Sequence, residues 1–208
     1  MITIEIVRRL FPNAPPENAT AFAEQAQSLF AEFGISARPE RLHFFLAQTG
    51  HESGLVLREE NLNYSASRLR AVWPRRFPTE GATLGFAHNP RALANRVYGG
   101  RMGNDGPDDG WIYRGRGYLQ ITGKHGYSMV GRHAGLDLVA HPELALQLPH
   151  ALRIACGFWD WKGLNAVCDT GDFAAVTRVI NGGLTGLADR RAWLERVLRR
   201  VPGNLRLA

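Results

Sequence analysis

The chain has 208 residues, 45% of them hydrophobic, with a formal charge of +6 and an isoelectric point near 9.9. That composition supports a sizeable core and excludes collagen-like, disulfide-dense, coiled-coil and disordered classes. The charge favours an anionic partner such as nucleic acid, anionic lipid or a cell-wall polymer, without choosing among them.

The run from Met1 to Arg9 places its arginines after the apolar residues and carries Glu5 among them, an order unlike a secretory signal. The expectation is a protein made in the cytoplasm without its own export signal. No apolar run approaches the ~18 residues of a spanning helix. Between Glu17 and Phe33, apolar residues at Ala19, Phe22, Ala23, Ala26, Leu29, Phe30 and Phe33 predict an amphipathic helix stopped at Gly34. A second helix is predicted after Pro39, with Leu42, Phe45, Leu46 and Thr49 on one side, running to about Ser53, where Gly54 can end it. Ser65 is a candidate N-cap for a short helix through Val72. Residues 78 to 90 are rich in Gly, Pro and Asn and predict a loop, followed by a short helix over 91–98. Gly99 to Gly117 has no helical period, but Trp111, Ile112 and Tyr113 mark it as an ordered loop. Tyr118 to Thr122 alternates and suits a strand or extended segment. Helices are further predicted over 126–134, 142–147, 149–161, 172–180 and 188–200, so the fold class is mainly α with a small β element at most, in a single domain spanning 1–208.

Three segments could carry chemistry. The first is His51-Glu52-Ser53-Gly54 followed by Glu60-Asn61-Leu62-Asn63-Tyr64. Glu52 falls in the last turn of an apolar helix, where the negative end of the helix dipole and partial desolvation favour its protonated form, as a general acid requires. Glu59 and Glu60 are adjacent and only one needs to face a cleft; Glu59 can equally form an exposed ion pair with Arg58, and Glu60 opens the more polar run. Eight residues of unbroken helix span about 12 Å, so a bend after Gly54 is needed to bring two carboxylates to the roughly 6.5–9.5 Å of an inverting glycosidase. The second segment, Tyr113-Arg114-Gly115-Arg116-Gly117-Tyr118-Leu119-Gln120-Ile121-Thr122, offers Gln120 and Thr122 to sugar hydroxyls; its plainer reading is a tight hairpin with two surface arginines. The third, Ile180-Asn181-Gly182-Gly183, is a turn signal, followed by Asp189-Arg190, an arginine expected to be anchored by a carboxylate and able to orient Glu60.

Cys156 and Cys168 lie among apolar residues without metal-ligand spacing and read as buried free thiols, a disulfide being left open. Arg190, Arg191, Arg196, Arg199, Arg200 and Arg206 face only Glu195 after Asp189. They form either a solvated helix face or a tail holding an anionic surface. Asn104, Asp105, Asp108 and Asp109 lack the spacing of a calcium loop.

Taken in order over about residues 40–195, these motifs resemble the family 19 glycoside hydrolases, and most of all their phage endolysin and bacterial lytic branch. The resemblance implies a lysozyme-like, two-lobed helical fold with the cleft between lobes, Glu52 as general acid and Glu60 as second carboxylate. It implies substrate contacts from His51, Ser53, Asn63, Tyr64, Tyr113, Gln120, Thr122, Asn181 and Arg190, with no metal or cofactor. Plant-type members continue the Gln motif with an asparagine-tyrosine pair where this chain has Gly123-Lys124-His125-Gly126-Tyr127, and their disulfide framework and separate wall-binding modules are missing. On those departures the expected substrate is peptidoglycan glycan, cut at β-1,4 bonds by a monomer that reaches the periplasmic wall after holin-dependent release. Nucleic acid is not an expected partner, because the aromatics do not interleave with the arginines as stacking readers require. The alternatives are a chitinase acting on chitin oligomers, a lytic transglycosylase using Glu52 alone, and a non-catalytic wall-binding module.

Overall fold

The computed structural model describes residues 2–201. Arg206, part of the basic C-terminal cluster, lies outside them. Eleven α-helices are formed by the described residues, with short 3-10 turns at Ile35–Ala37, Gly81–Thr83 and Pro142–Leu146. Helix α1 (Ile4–Leu10) is capped by Thr3, whose hydroxyl accepts from the Ile6 N–H, and α2 (Pro16–Glu32) starts on a proline.

The central helix is α3 (Pro39–Glu52), buried without a break from Leu42 to Gly50, including His43, Gln48 and Thr49. An all-round buried helix needs neighbours on every side. They are α2, α10 (Phe173–Asn181) and above all α11 (Leu187–Arg200), with the Phe30–Phe45–Trp159 aromatic stack linking α3 to α8 (Leu148–Trp161). Helices α7 (Lys124–Ala134) and α9 (Leu164–Cys168) pack on α8 and complete this larger lobe. Cys156 and Cys168 are both free and buried in it, and burial pushes the Cys168 thiol up to about 12.

The smaller lobe has its own core, with Leu69 from α4 (Ala66–Val72), Leu93, Ala94 and Val97 from α5 (Pro90–Tyr98), and Leu62 and Phe77 from the segments flanking α4; α6 (Asp109–Ile112) packs on α5. Ser65 caps α4 through the Arg68 N–H, and Asn89 caps α5 through that of Ala92. Two cores joined by residues 53–62 and 112–123 make the molecule a two-lobed, mainly α domain.

A strand or extended segment was expected over Tyr118–Thr122; no strand forms, and the described residues hold only isolated bridges, Glu59 to Arg116 and Arg116 to Ile121. Residues 117–120 turn the chain between the Arg116–Ile121 pair, with Tyr118, Leu119 and Ile121 buried and Gln120 and Thr122 half-buried. Three short helices, α1, α6 and α9, were not expected from periodicity; at seven, four and five residues they are too short to show a repeat.

Candidate active site

Helix α3 delivers Glu52 as its last residue. Beyond it Gly54 and Leu55 both take positive φ (56° and 63°), which turns the chain sharply, and Asn18 of α2 clamps the turn by donating to the Leu55 carbonyl at 2.7 Å. Leu55 tolerates that strained backbone because its side chain is fully buried. The chain therefore bends between the two carboxylates.

Glu52 is met by Arg190, on the first turn of α11, which donates from Nη2 to Oε1 at 2.5 Å. Arg190 is only 2% exposed, and its other terminal nitrogen donates to Gln48 Oε1. Next to this pair His51 Nδ1 lies 2.6 Å from Asp189 Oδ2, so two consecutive residues of α3 face two consecutive residues of α11. Arg190 thus anchors Glu52, where the sequence had suggested Glu60. Buried and with both terminal nitrogens occupied, it sits behind the carboxylate. A cavity of about 280 Å³ opens beside Glu52, lined also by His51, Ser53, Arg58, Trp193 and Arg196.

Glu59 and Glu60 are sorted by the turn that follows α6. Glu59 accepts from Arg114 Nη2 at 2.5 Å and from Arg116 Nε at 2.7 Å. Burial pushes its carboxyl up, but the two guanidinium hydrogen bonds outweigh this and hold it below the usual range. Arg114 and Arg116 are 8% and 6% exposed, with Arg114 lying over the Trp111 ring at 3.5 Å; they are not the surface arginines of a hairpin. Glu60 points elsewhere. Its Oε1 accepts from the Tyr98 hydroxyl at 2.6 Å, and its Oε2 lies 3.4 Å from the Gly115 N–H. Gly115 permits that approach, because a Cβ there would sit 2.9 Å from Gln120 Oε1 and 3.4 Å from Glu60 Cβ. Tyr98 was not found from sequence; a tyrosine ending a predicted helix thirty-eight residues away carries no local signal.

The remaining expected contacts divide. Gln120 and Thr122 line a second cavity of about 320 Å³ with His125, Phe158, Trp161 and Ile180, and Gln120 is held at φ 49° by donating to the carbonyls of Arg58 and Gly117. Asn181 is exposed at the end of α10, its amide donating to the Thr185 carbonyl. Asn63 is exposed and its Oδ1 meets His88 Nδ1 at 3.0 Å, while Tyr64 stacks edge-on against Trp73 in the small-lobe core. Two of the expected residues have their hydroxyls engaged within the protein. Tyr113 is 5% exposed with its hydroxyl spent on the Val139 carbonyl, and the buried Ser53 hydroxyl donates back to Thr49. Among the described residues no cluster of three or more His, Cys, Asp or Glu is placed to hold a metal ion.

A two-lobed helical scaffold carrying two carboxylates with unlike partners defines the lysozyme-like glycosidase class. Comparison with known proteins narrows this. No family model matches the chain. A Haemophilus influenzae protein described as a glycosyl hydrolase family 19 domain-containing protein is 41% identical over 158 residues, 74% of this chain and 76% of the relative. An endochitinase of Arabidopsis thaliana is 39% identical over 164 residues, 78% of this chain but 46% of the relative, so the chain spans about half of that plant protein. In fold it matches chitinase C of Streptomyces griseus HUT6037 with a TM-score of 0.59 at 21% identity, over 94% of this chain and 75% of the other. The chain belongs to glycoside hydrolase family 19 and is a glycoside hydrolase.

The same comparisons overturn the endolysin reading. The relatives whose names state an activity are chitinases of plants and bacteria, and none supports a phage branch. Peptidoglycan as partner and bacteriolysis lose their ground with it. Of the departures that had suggested peptidoglycan, residues 124–127 open α7, with His125 beside Gln120 and Thr122 in the second cavity, and the two cysteines are free and buried.

Proposed function

We propose that the chain hydrolyses β-1,4 bonds between N-acetylated amino sugars in chitin oligomers, with inversion at the anomeric carbon. Glu52 gives its proton to the glycosidic oxygen as the C1–O bond breaks. Glu60 takes a proton from the water whose oxygen attacks C1 from the opposite face, leaving one new hydroxyl on each product. The observation that carries the reading is the different support of the two groups. Glu52 is bonded through Oε1 alone, leaving Oε2 for the leaving oxygen, while Glu60 is oriented by a tyrosine hydroxyl and a backbone N–H on the other lobe's side of the turn. Family membership and the endochitinase names of the relatives support chitin as the substrate class.

Digestion of chitohexaose followed by NMR of the fresh reducing ends tests this. The α-anomer is expected first, with Glu52→Gln and Glu60→Gln each slowing turnover by about a hundredfold or more. A β-anomer, or products lighter by one water, would remove the inverting hydrolytic scheme. Full activity in Glu60→Gln would leave Glu52 acting alone.

A further inference from the structure

Behind Glu52 the arginine is itself held by neutral groups. Arg190 donates to Gln48, a side chain with no exposed surface, and Gln48 Nε2 donates to Thr177 Oγ1 at 2.9 Å. The Thr177 hydroxyl, equally buried, donates to the Phe173 carbonyl at 3.1 Å. The line runs from α11 through α3 to α10 and ends on backbone. Gln48 and Glu52 are four residues apart, so they lie on one face of α3, and the two terminal nitrogens of Arg190 span them. A guanidinium has its direction fixed when two of its donors are engaged; released at one, it can swing about the other. Among the described residues Glu52 is the only carboxylate bonded to Arg190.

We propose that Gln48, backed by Thr177, is a positioning residue for the acid: it aims Glu52 through Arg190 and adds no negative charge that would compete for the guanidinium. This rests on the reading of Glu52 as general acid. An acid that is merely misaimed hurts only substrates whose leaving group needs a proton. A dinitrophenyl leaving group departs without one.

The test compares chitohexaose with 2,4-dinitrophenyl β-chitotrioside. Gln48→Met should lower kcat on chitohexaose roughly tenfold with KM within about twofold, the scale of one hydrogen bond to a charged group, while dinitrophenolate release stays within about twofold of the native enzyme. Thr177→Val should show the same pattern at about threefold, and it decides the matter if Gln48→Met does not fold. Equal losses on both substrates, or native turnover of chitohexaose, would overturn the role of Gln48. Glu52→Gln run alongside separates the two ideas. If it keeps turning over chitohexaose, the acid reading itself fails. If it loses chitohexaose, keeps dinitrophenolate release and the other variants behave as native, only the positioning role falls.

Discussion

Glu60 and Tyr98 show how a single contact distinguishes neighbouring residues of identical type. Glu59 is neutralised by two buried arginines, whereas Glu60 receives one hydroxyl from a tyrosine whose own ionisation is pushed well up by burial and then by the carboxylate beside it. Tyr98→Phe is expected to reduce kcat on chitohexaose by about tenfold while KM changes little, because hydrogen bonds to charged groups contribute about 1.5–3 kcal/mol. Steady-state kinetics on the purified variant check this, and an unchanged kcat would separate Tyr98 from the chemistry. The sequence placed Glu52 at a helix end, and only the other motifs taken with it gave that glutamate a role. Its partner was not legible, because Arg190 lies 138 residues away in a cluster of arginines that looks like a solvated face.

Helices α3 and α11 meet closely enough that Gly50 touches the Trp193 indole, and a Cβ on Gly50 would overlap that ring. Trp193 is backed by Phe11 at 5.7 Å on one side and covered by Arg196 at 4.5 Å, so it has little room to yield. Gly50→Ala should therefore push α11 outward and carry Arg190 away from Glu52. Overpacking of this kind costs about 1–3 kcal/mol, or roughly 2–10 °C in Tm for a chain of this size. The discriminating measurement is calorimetry together with kcat: both should fall, and a Tm at or above the native value would show that the interface gives way freely. The long helices were readable because their apolar faces repeat every three to four residues. The close α3–α11 approach was not, since Gly50 sits inside a helix where a glycine looks like a simple weakness.

At the scale of the molecule, the Glu59–Arg114–Arg116 cluster ties the chain leaving α3 to the segment leaving the small lobe. Its pH dependence has a definite sign. Glu59 ionises more readily folded than unfolded, so its contribution is present above the ordinary carboxylate range and is lost as pH falls through the lower folded value. Asp169, held down by Arg41, and Asp109, held down by the Gly106 N–H and Lys124 against burial, act in the same sense. Tm is expected to drop between about pH 5 and 3, with Glu59→Gln lower than native at neutral pH and the gap closing on acidification. A gap that stayed constant from pH 7 to 3 would contradict the linkage.

By itself the sequence determined the helical class, the positions of the long helices, the four motifs and hence the family, because periodicity, caps and turn residues act within a few positions of one another. It also placed Glu52 at a helix end beside a breaker. Only the tertiary structure decided that Glu60 and not Glu59 is left unpaired by arginine, that Arg190 serves Glu52, that the Tyr113 hydroxyl is spent on the Val139 carbonyl, and that Gln120 and Thr122 share a cavity with Phe158, Trp161 and Ile180. Each of these depends on groups tens of residues apart competing for the same buried donors, and burial itself is a property of the packed chain that local spacing does not encode.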